Sequence, residues 1–272
     1  MRLNIRHSTH YVYDSPIRSA AQLLRMTPRD HEGQFVGRWR VETDVDARMR
    51  QGEDSLGNIT HALYVDGPLS RIRITVEGEV ETSDTGGIVR GAVERFEPEV
   101  YLRETALTLA SPEMRDYLSD LGVCQADPLD QLHHIMAGLN QDLEFMPLAT
   151  TSETKAEEAF ALKKGVCEDF AHIFIALSRR LKLPARYVSG HLFRRDGAIE
   201  QEAAHAWAEA HVPGLGWVGF DAANGVCPTE SYVRVATGLD YLGAAPVRGS
   251  RIGGGHEVMD VTLSVAGQSQ TQ

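Results

Sequence analysis

The sequence predicts an α+β protein: a β-sandwich-like region at the N-terminus, then helices, then an antiparallel sheet on which one strongly apolar helix packs. Three observations carry this. From residue 1 to about 100, short β-branched and aromatic runs alternate with turn residues, and helix signals are nearly absent. Capped helices then take over the pattern. Beyond Pro184 strand-like segments return, the helix-then-sheet order of an α+β domain. The chain has 272 residues, enough for two cores. Its 42% hydrophobic and 24% charged residues are ordinary for a folded protein and exclude disorder, collagen and coiled coil. The net charge of 27 − 38 = −11 argues against a general nucleic-acid binder.

Candidate strands of the first region are 3–13, 22–27, 38–45, 58–65 and 69–80. In the last, Ile72, Ile74 and Val76 alternate with polar neighbours, as a half-buried strand requires. Glycines and acidic residues over 83–99 mark a change of texture, with 94–99 read as a solvated linker. The predicted organisation is a β-rich domain over 1–100, a core of helices and an antiparallel sheet over 101–243 and a C-terminal segment over 244–272. Ser111-Pro112-Glu113 opens a short helix, and Asp127-Pro128 opens another through Leu143, since a polar cap followed by proline suits unpaired amides. The strongest helix runs from Cys167 to about Lys182, with Phe170, Phe174, Leu177 and Leu181 on one stripe. Pro184 ends it, and 186–192, 203–212 and 217–221 follow as strands. After Gly253-Gly254-Gly255, alternation over 261–265 predicts one more strand, free to return to the first domain. The tail after Ala266 is polar.

No run reaches the ~18 consecutive apolar residues of a membrane span, and Met1-Arg2-Leu3-Asn4-Ile5-Arg6-His7 lacks the apolar core of a signal peptide. The expectation is a cytoplasmic protein with no membrane or nucleic-acid partner. Cys124, Cys167 and Cys227 are too few and too scattered for a disulfide framework, and no C-x-x-C pair suggests zinc. At least one thiol is expected to be free.

Cys167 stands where Lys163-Lys164-Gly165-Val166 meets the start of the apolar helix. Unpaired amides and the positive end of the helix dipole stabilise a thiolate there and can hold an oxyanion. Taken alone, Cys167 reads as a small buried apolar residue. His205 and Asp221 change that reading. With Pro213 midway between them, a hairpin over Val212-Pro213-Gly214 sets them directly opposite on one face, their β-carbons about 4.5 to 5.5 Å apart. The carboxylate would then orient the imidazole, and the imidazole would take the thiol proton. A one-residue slip would destroy the arrangement.

Four segments together resemble the bacterial transglutaminase-like family: Gly165-Val166-Cys167-Glu168-Asp169-Phe170-Ala171-His172, Pro184-Ala185-Arg186-Tyr187-Val188-Ser189-Gly190, His205-Ala206-Trp207-Ala208-Glu209 and Gly214-Leu215-Gly216-Trp217-Val218-Gly219-Phe220-Asp221. Arg25-Met26-Thr27-Pro28-Arg29 is similar to the family's N-terminal β domain, and Ala245-Pro246-Val247-Arg248-Gly249 to its C-terminal segment. The resemblance implies a papain-like α+β core in which Cys167 is the nucleophile, His205 the general base and acid, and Asp221 the residue that orients the histidine. It also implies a cysteine protease or amidase acting on a peptide or protein through a thioester. Transfer of the acyl group to an amine is the alternative, and a non-catalytic peptide-binding module the reading from a different class. Glu168 stands where glutamine is frequent, and Asp221-Ala222-Ala223-Asn224 replaces Asp-Pro-Thr-Asn. A carboxylate close to the thiol would disfavour the thiolate.

Glu168, Trp207 and Trp217 are candidates to line the substrate groove, the two indoles by strand parity, although both equally suit a core. Gly214-Leu215-Gly216-Trp217-Val218-Gly219 fits G-x-G-x-x-G but precedes a strand, so it reads as a turn. His133-His134, His172, His191 and His211 have no metal-ligand spacing, and neither metal nor cofactor is expected. Cys124 and Cys227 have no base nearby in sequence.

Overall fold

The computed structural model describes residues 1–123, 126–201 and 203–267. Gly267, which the sequence assigns to the tail, ends a strand; the rest of the tail and Cys124 lie outside the described residues.

Two long antiparallel strands build the N-terminal region, β1 (Arg2–Thr27) and β4 (Ile59–Thr82), with β2 (Gln34–Thr43) and β3 (Arg48–Glu53) both pairing with β4. The sequence predicts two strands in place of each long one and none at β3. The predicted breaks are bends within continuous strands: Val12 pairs with Arg71 and Ser19 with Asp66, with register shifts between them. Gly67 is required at that bend, because a β-carbon there would stand 2.0 Å from the Ile17 carbonyl oxygen. Tyr11, Ile17, Leu24, Leu63, Ile72 and Ile74, from both halves of both strands, share one buried cluster. The bent sheet therefore closes on itself as a sandwich, its core formed by the alternate residues of each strand.

Residues 83–99 connect to the second region and carry β5 (Ile88–Val89). The segments that follow are α1 (Pro112–Asp120), α2 (Pro128–Asp142), β6 (Glu144–Phe145), α3 (Ala156–Leu162), β7 (Lys164–Gly165), α4 (Cys167–Arg180), β8 (Ala185–Leu192), β9 (Glu200–Gln201), β10 (His205–Val212), β11 (Gly216–Phe220), β12 (Tyr232–Gly238), α5 (Tyr241–Ala244), β13 (Val247–Gly253) and β14 (Glu257–Gly267). The caps of α1 and α2 are those expected: Ser111 Oγ accepts from the Met114 amide and Asp127 Oδ1 from the Leu129 amide. A second sheet has the order β12-β8-β10-β11-β5. Helix α4 is buried on nearly every side, and its Phe170 and Phe174 share a core with Ala206, Ala208 and Ala210 of β10. Three small side chains on alternate positions let the helix sit close to the sheet.

The stretch 94–99 is not simply a solvated linker. Glu94 makes two hydrogen bonds, 2.7 and 2.9 Å, to the guanidinium of Arg186, which is buried on β8. An interior cation needs such a partner, and the second carboxylate against it is the fully buried Glu209 at 2.7 Å.

The C-terminal segment contains two strands where the sequence predicts one. Residues of β13 pair with β1 from Ile17 to Leu24, and those of β14 from Leu3 to Tyr13. They line one side of β1, interrupted at its bend, where Gly253, Gly254 and Gly255 all have positive φ.

Candidate active site

Cys167 is the first residue of α4, at a helix start held from both sides. Asp169 turns back so that its Oδ2 accepts from the Val166 amide at 2.8 Å and from Thr150 Oγ1 at 2.6 Å. Gly165 leaves room for this, since a β-carbon there would lie 2.6 Å from the same oxygen. The amides of Cys167 and Glu168 precede the first bonds of α4, which Asp169 and Phe170 donate to the Val166 carbonyl, and so have no intrahelical acceptor. The thiol itself is 9% exposed and lies near enough to His205 for its charge to favour the protonated ring.

His205 opens β10. Its Nε2 donates to Asp221 Oδ2 at 2.6 Å, which leaves Nδ1 for the thiol. Burial disfavours the charged ring, but the hydrogen bonds and charges of Asp221 and Cys167 outweigh it and raise the His205 pKa to about 10. Asp221 follows β11 directly and is fully buried. Its Oδ2 also accepts from Tyr232 Oη at 2.8 Å and Asn224 Nδ2 at 2.7 Å, while Oδ1 accepts from the Asn224 amide at 3.2 Å. Burial works against this carboxylate, yet these donors hold its pKa below the ordinary value.

The hairpin that brings His205 and Asp221 together differs from the predicted one. Val212 pairs with Gly216 and Ala208 with Phe220, so the turn centres on Gly214, one residue beyond Pro213. The Leu215 amide donates to the Val212 carbonyl, with Pro213 and Gly214 (φ +82°) at the corners, the geometry of a type II turn. Continuing that register puts Asp221 beside Trp207 and makes its contact with His205 diagonal. The two still share a face because the partner has moved by two residues; a shift of one would have separated them.

Trp207 stacks on the His205 ring with centroids 6.2 Å apart and meets Tyr232 edge-on at 5.4 Å. It is buried, so it supports the imidazole from behind. Trp217 pairs with His211 at the far end of β10, about 20 Å from His205 at 3.3 Å per residue, and lies 3.8 Å beneath the Arg186 guanidinium. The parity expected of Trp217 is correct, but its distance along the strand removes it from the groove.

Glu168 is half-buried beside Cys167, where its charge reaches His205, Tyr187 and Tyr241. Burial and the neighbouring Asp169 raise its pKa. Because its charge favours the imidazolium, Glu168→Gln is expected to lower the His205 pKa by about half a unit, followed by NMR titration of the ring. An unmoved titration would show that the carboxyl bears no charge near the ring.

Cys227 is half-buried, and burial pushes its thiol pKa up. His172 is buried under α5 and accepts from the Tyr241 amide at 3.0 Å. Among the described residues no group of three His, Cys, Asp or Glu side chains could hold a metal ion, and no helix is long and apolar enough to cross a membrane.

Two residues of the site escape the sequence reading. Asn224 is quoted there only as part of a motif, and Tyr232 falls in a strand that was not predicted. The β-prone run Tyr232-Val233-Arg234-Val235-Ala236-Thr237 is the signal that would have revealed it.

Comparison with known proteins accords with this geometry. Residues 3–81 match the bacterial transglutaminase-like N-terminal region, and residues 118–222 match the transglutaminase-like superfamily. Protein ML0607 of Mycobacterium leprae, itself uncharacterized, is 30% identical over 97% of this chain and 98% of its own. The chain belongs to the bacterial transglutaminase-like family. Another member of similar extent, uncharacterized protein Rv2569c of Mycobacterium tuberculosis, is 28% identical over 97% of this chain and 92% of its own. A Cytophaga hutchinsonii protein described as a candidate cysteine protease has the same fold, with a TM-score of 0.78 at 21% identity over 100% of this chain and 92% of that one. The transglutaminase-like fold is a thiol-enzyme fold, and the N-terminal β region is part of it here.

Proposed function

We propose that this family member is a thiol hydrolase that cleaves a peptide or carboxamide bond through an acyl-enzyme thioester, with Cys167, His205 and Asp221 as its catalytic machinery. The observation that carries the reading is the series in which the His205 ring hydrogen-bonds to the buried Asp221 carboxylate and stands beside the Cys167 thiol. Such a series moves one proton between sulfur and imidazole without solvent. The thiol proton passes to His205 Nδ1, and the Cys167 sulfur pair forms a bond to the carbonyl carbon. The oxyanion that develops falls to the unpaired amides at the start of α4. Its collapse breaks the C–N bond, and the leaving amine takes the proton from His205. Water then attacks the thioester, giving its proton to His205, and the Cys167 sulfur leaves with that proton. The raised His205 pKa favours the first transfer, and the buried carboxylate keeps the ring in the tautomer it needs. The substrate is a peptide or protein, and the reaction uses no cofactor.

Hydrolysis needs only water and a base, whereas transfer also needs a site that holds a neutral amine in the line of attack. The expected result with an amide-bearing peptide and a graded excess of a primary amine is therefore mostly carboxylic acid product by mass spectrometry. Amine adducts dominating at modest amine concentration would replace hydrolysis by transfer. Iodoacetamide near neutral pH is expected to label Cys167 much faster than Cys227, whose thiol burial renders less acidic. Equal labelling without turnover would favour the peptide-binding module.

A further inference from the structure

The strand β12 lies at one end of the second sheet, pairing only with β8 among the described strands, so its outer edge leaves backbone donors and acceptors to be satisfied from elsewhere. They are satisfied by side chains of the N-terminal region. Gln34 closes a two-way pair with Arg234: its Nε2 donates to the Arg234 carbonyl at 2.9 Å, and its Oε1 accepts from the Arg234 amide at 2.8 Å. Asn58 repeats the pattern three residues on, its Nδ2 donating to the Thr237 carbonyl and its Oδ1 accepting from the Thr237 amide, both at 2.8 Å. Gln34 is 3% exposed and Asn58 6%, so water offers little replacement for these bonds. A carboxamide carries one donor and one acceptor in the spacing of a peptide group and can therefore stand in for a neighbouring strand.

The same strand begins with Tyr232, whose hydroxyl donates to Asp221 Oδ2. The N-terminal region is thus linked to the candidate site by a short series: carboxamides to β12, β12 to Tyr232, Tyr232 to Asp221, Asp221 to His205. The carboxamide, Tyr232–Asp221 and Asp221–His205 links are hydrogen bonds, each buried or partly buried, and the link from the edge of β12 to Tyr232 is the strand itself.

We propose that the N-terminal β region is a positioning device for the reaction, in which Gln34 and Asn58 grip the free edge of β12 and so hold Tyr232 against the Asp221 carboxylate. Gln34, Asn58 and Tyr232 are positioning residues; none touches the thiol. The inference rests on the hydrolase reading, since it gives Asp221 the task of holding the His205 ring. The titratable and charged groups facing that pair are Cys167 and Glu168 from α4, Tyr232 from β12 and Cys227 from the segment after β11. Arg234 and Glu209 are already joined to each other at 2.7 Å.

The test reads the pH midpoint of Cys167 alkylation by iodoacetamide in the full chain, because stabilising the imidazolium makes the thiol easier to ionise. Tyr232→Phe removes one hydroxyl and leaves the packed ring, so it tests the last link without threatening the fold. It is expected to raise the midpoint and slow alkylation at neutral pH about threefold, half a unit of pKa. Gln34→Met with Asn58→Leu should move the midpoint in the same direction. Adding Tyr232→Phe to that pair should move it no further, since both act through one bond. A midpoint that Tyr232→Phe leaves unmoved or lowers overturns the proposal, as do additive shifts. Failure of the hydrolase reading looks different: the unsubstituted chain would then show no preferential alkylation of Cys167.

Discussion

Cys167→Ala is expected to abolish turnover, by at least about 10⁴-fold in kcat/KM, while the protein stays folded. In the proposed mechanism the sulfur forms the acyl bond, and none of the other groups at the site can replace it: His205, Asp221 and Tyr232 are committed to one another by hydrogen bonds. The structural cost is small. The side chain sits at the first position of α4, where alanine is compatible with the helix, and removing one buried sulfur costs on the order of 1 kcal/mol. Circular dichroism and thermal unfolding should therefore match the parent closely. Cys167→Ser should be almost as inactive, because a hydroxyl is far less acidic than a thiol and the imidazole cannot strip it as readily. Retention of more than about 1% of activity in the alanine variant would sink the mechanism, since general acid–base catalysis by His205 alone accounts for only about 10²–10⁴-fold.

Asp221→Asn is expected to lower kcat by about 10³-fold with little change in KM. The reason lies in the crowding of one oxygen. Oδ2 accepts from His205 Nε2, Tyr232 Oη and Asn224 Nδ2. An amide NH₂ at that place would face three donors, and turning the amide to present its oxygen would direct the NH₂ toward the Asn224 amide that Oδ1 now accepts. Either orientation leaves a buried donor unpaired or drives His205 to the tautomer that protonates Nδ1, which then cannot take the thiol proton. The change also removes the charge that outweighs burial at His205, so the ring pKa should fall from about 10. The pH–rate profile should lose its alkaline stability accordingly, with activity declining at lower pH than in the parent. Unchanged kcat with an unchanged profile would show that the carboxylate does not orient the ring in the reaction.

Much of the architecture was legible because local chemistry determines it. Helix α4 is announced by its apolar periodicity, by Gly165 before it and by Pro184 after it. The caps Ser111 and Asp127 determine where α1 and α2 begin, since their side chains meet amides only two or three residues away. The alternation of Ile72, Ile74 and Val76 places one face of β4 inside. Even the pairing of His205 with Asp221 survived an error in the turn, because side-chain direction in a strand depends only on whether the register moves by an odd or an even number of residues.

What the sequence by itself determined is therefore the set of candidate reacting groups, the helix start that holds Cys167 and the sheet face shared by His205 and Asp221, all of which follow from residue type and short spacing. The tertiary structure alone decided how these groups are held. It joined the predicted strands of β1 and β4 across their bends, paired Glu94 with the buried Arg186, and moved Trp217 out of the groove by the length of a strand. It also brought Tyr232, Gln34 and Asn58 into one series with Asp221. Hydrogen bonds such as Gln34 to Arg234, which lie 200 residues apart, leave no local trace, because a carboxamide that completes a distant sheet edge has the same sequence appearance as one facing water. Only closure of the chain decides which backbone groups lack a partner, and therefore which side chains must supply one.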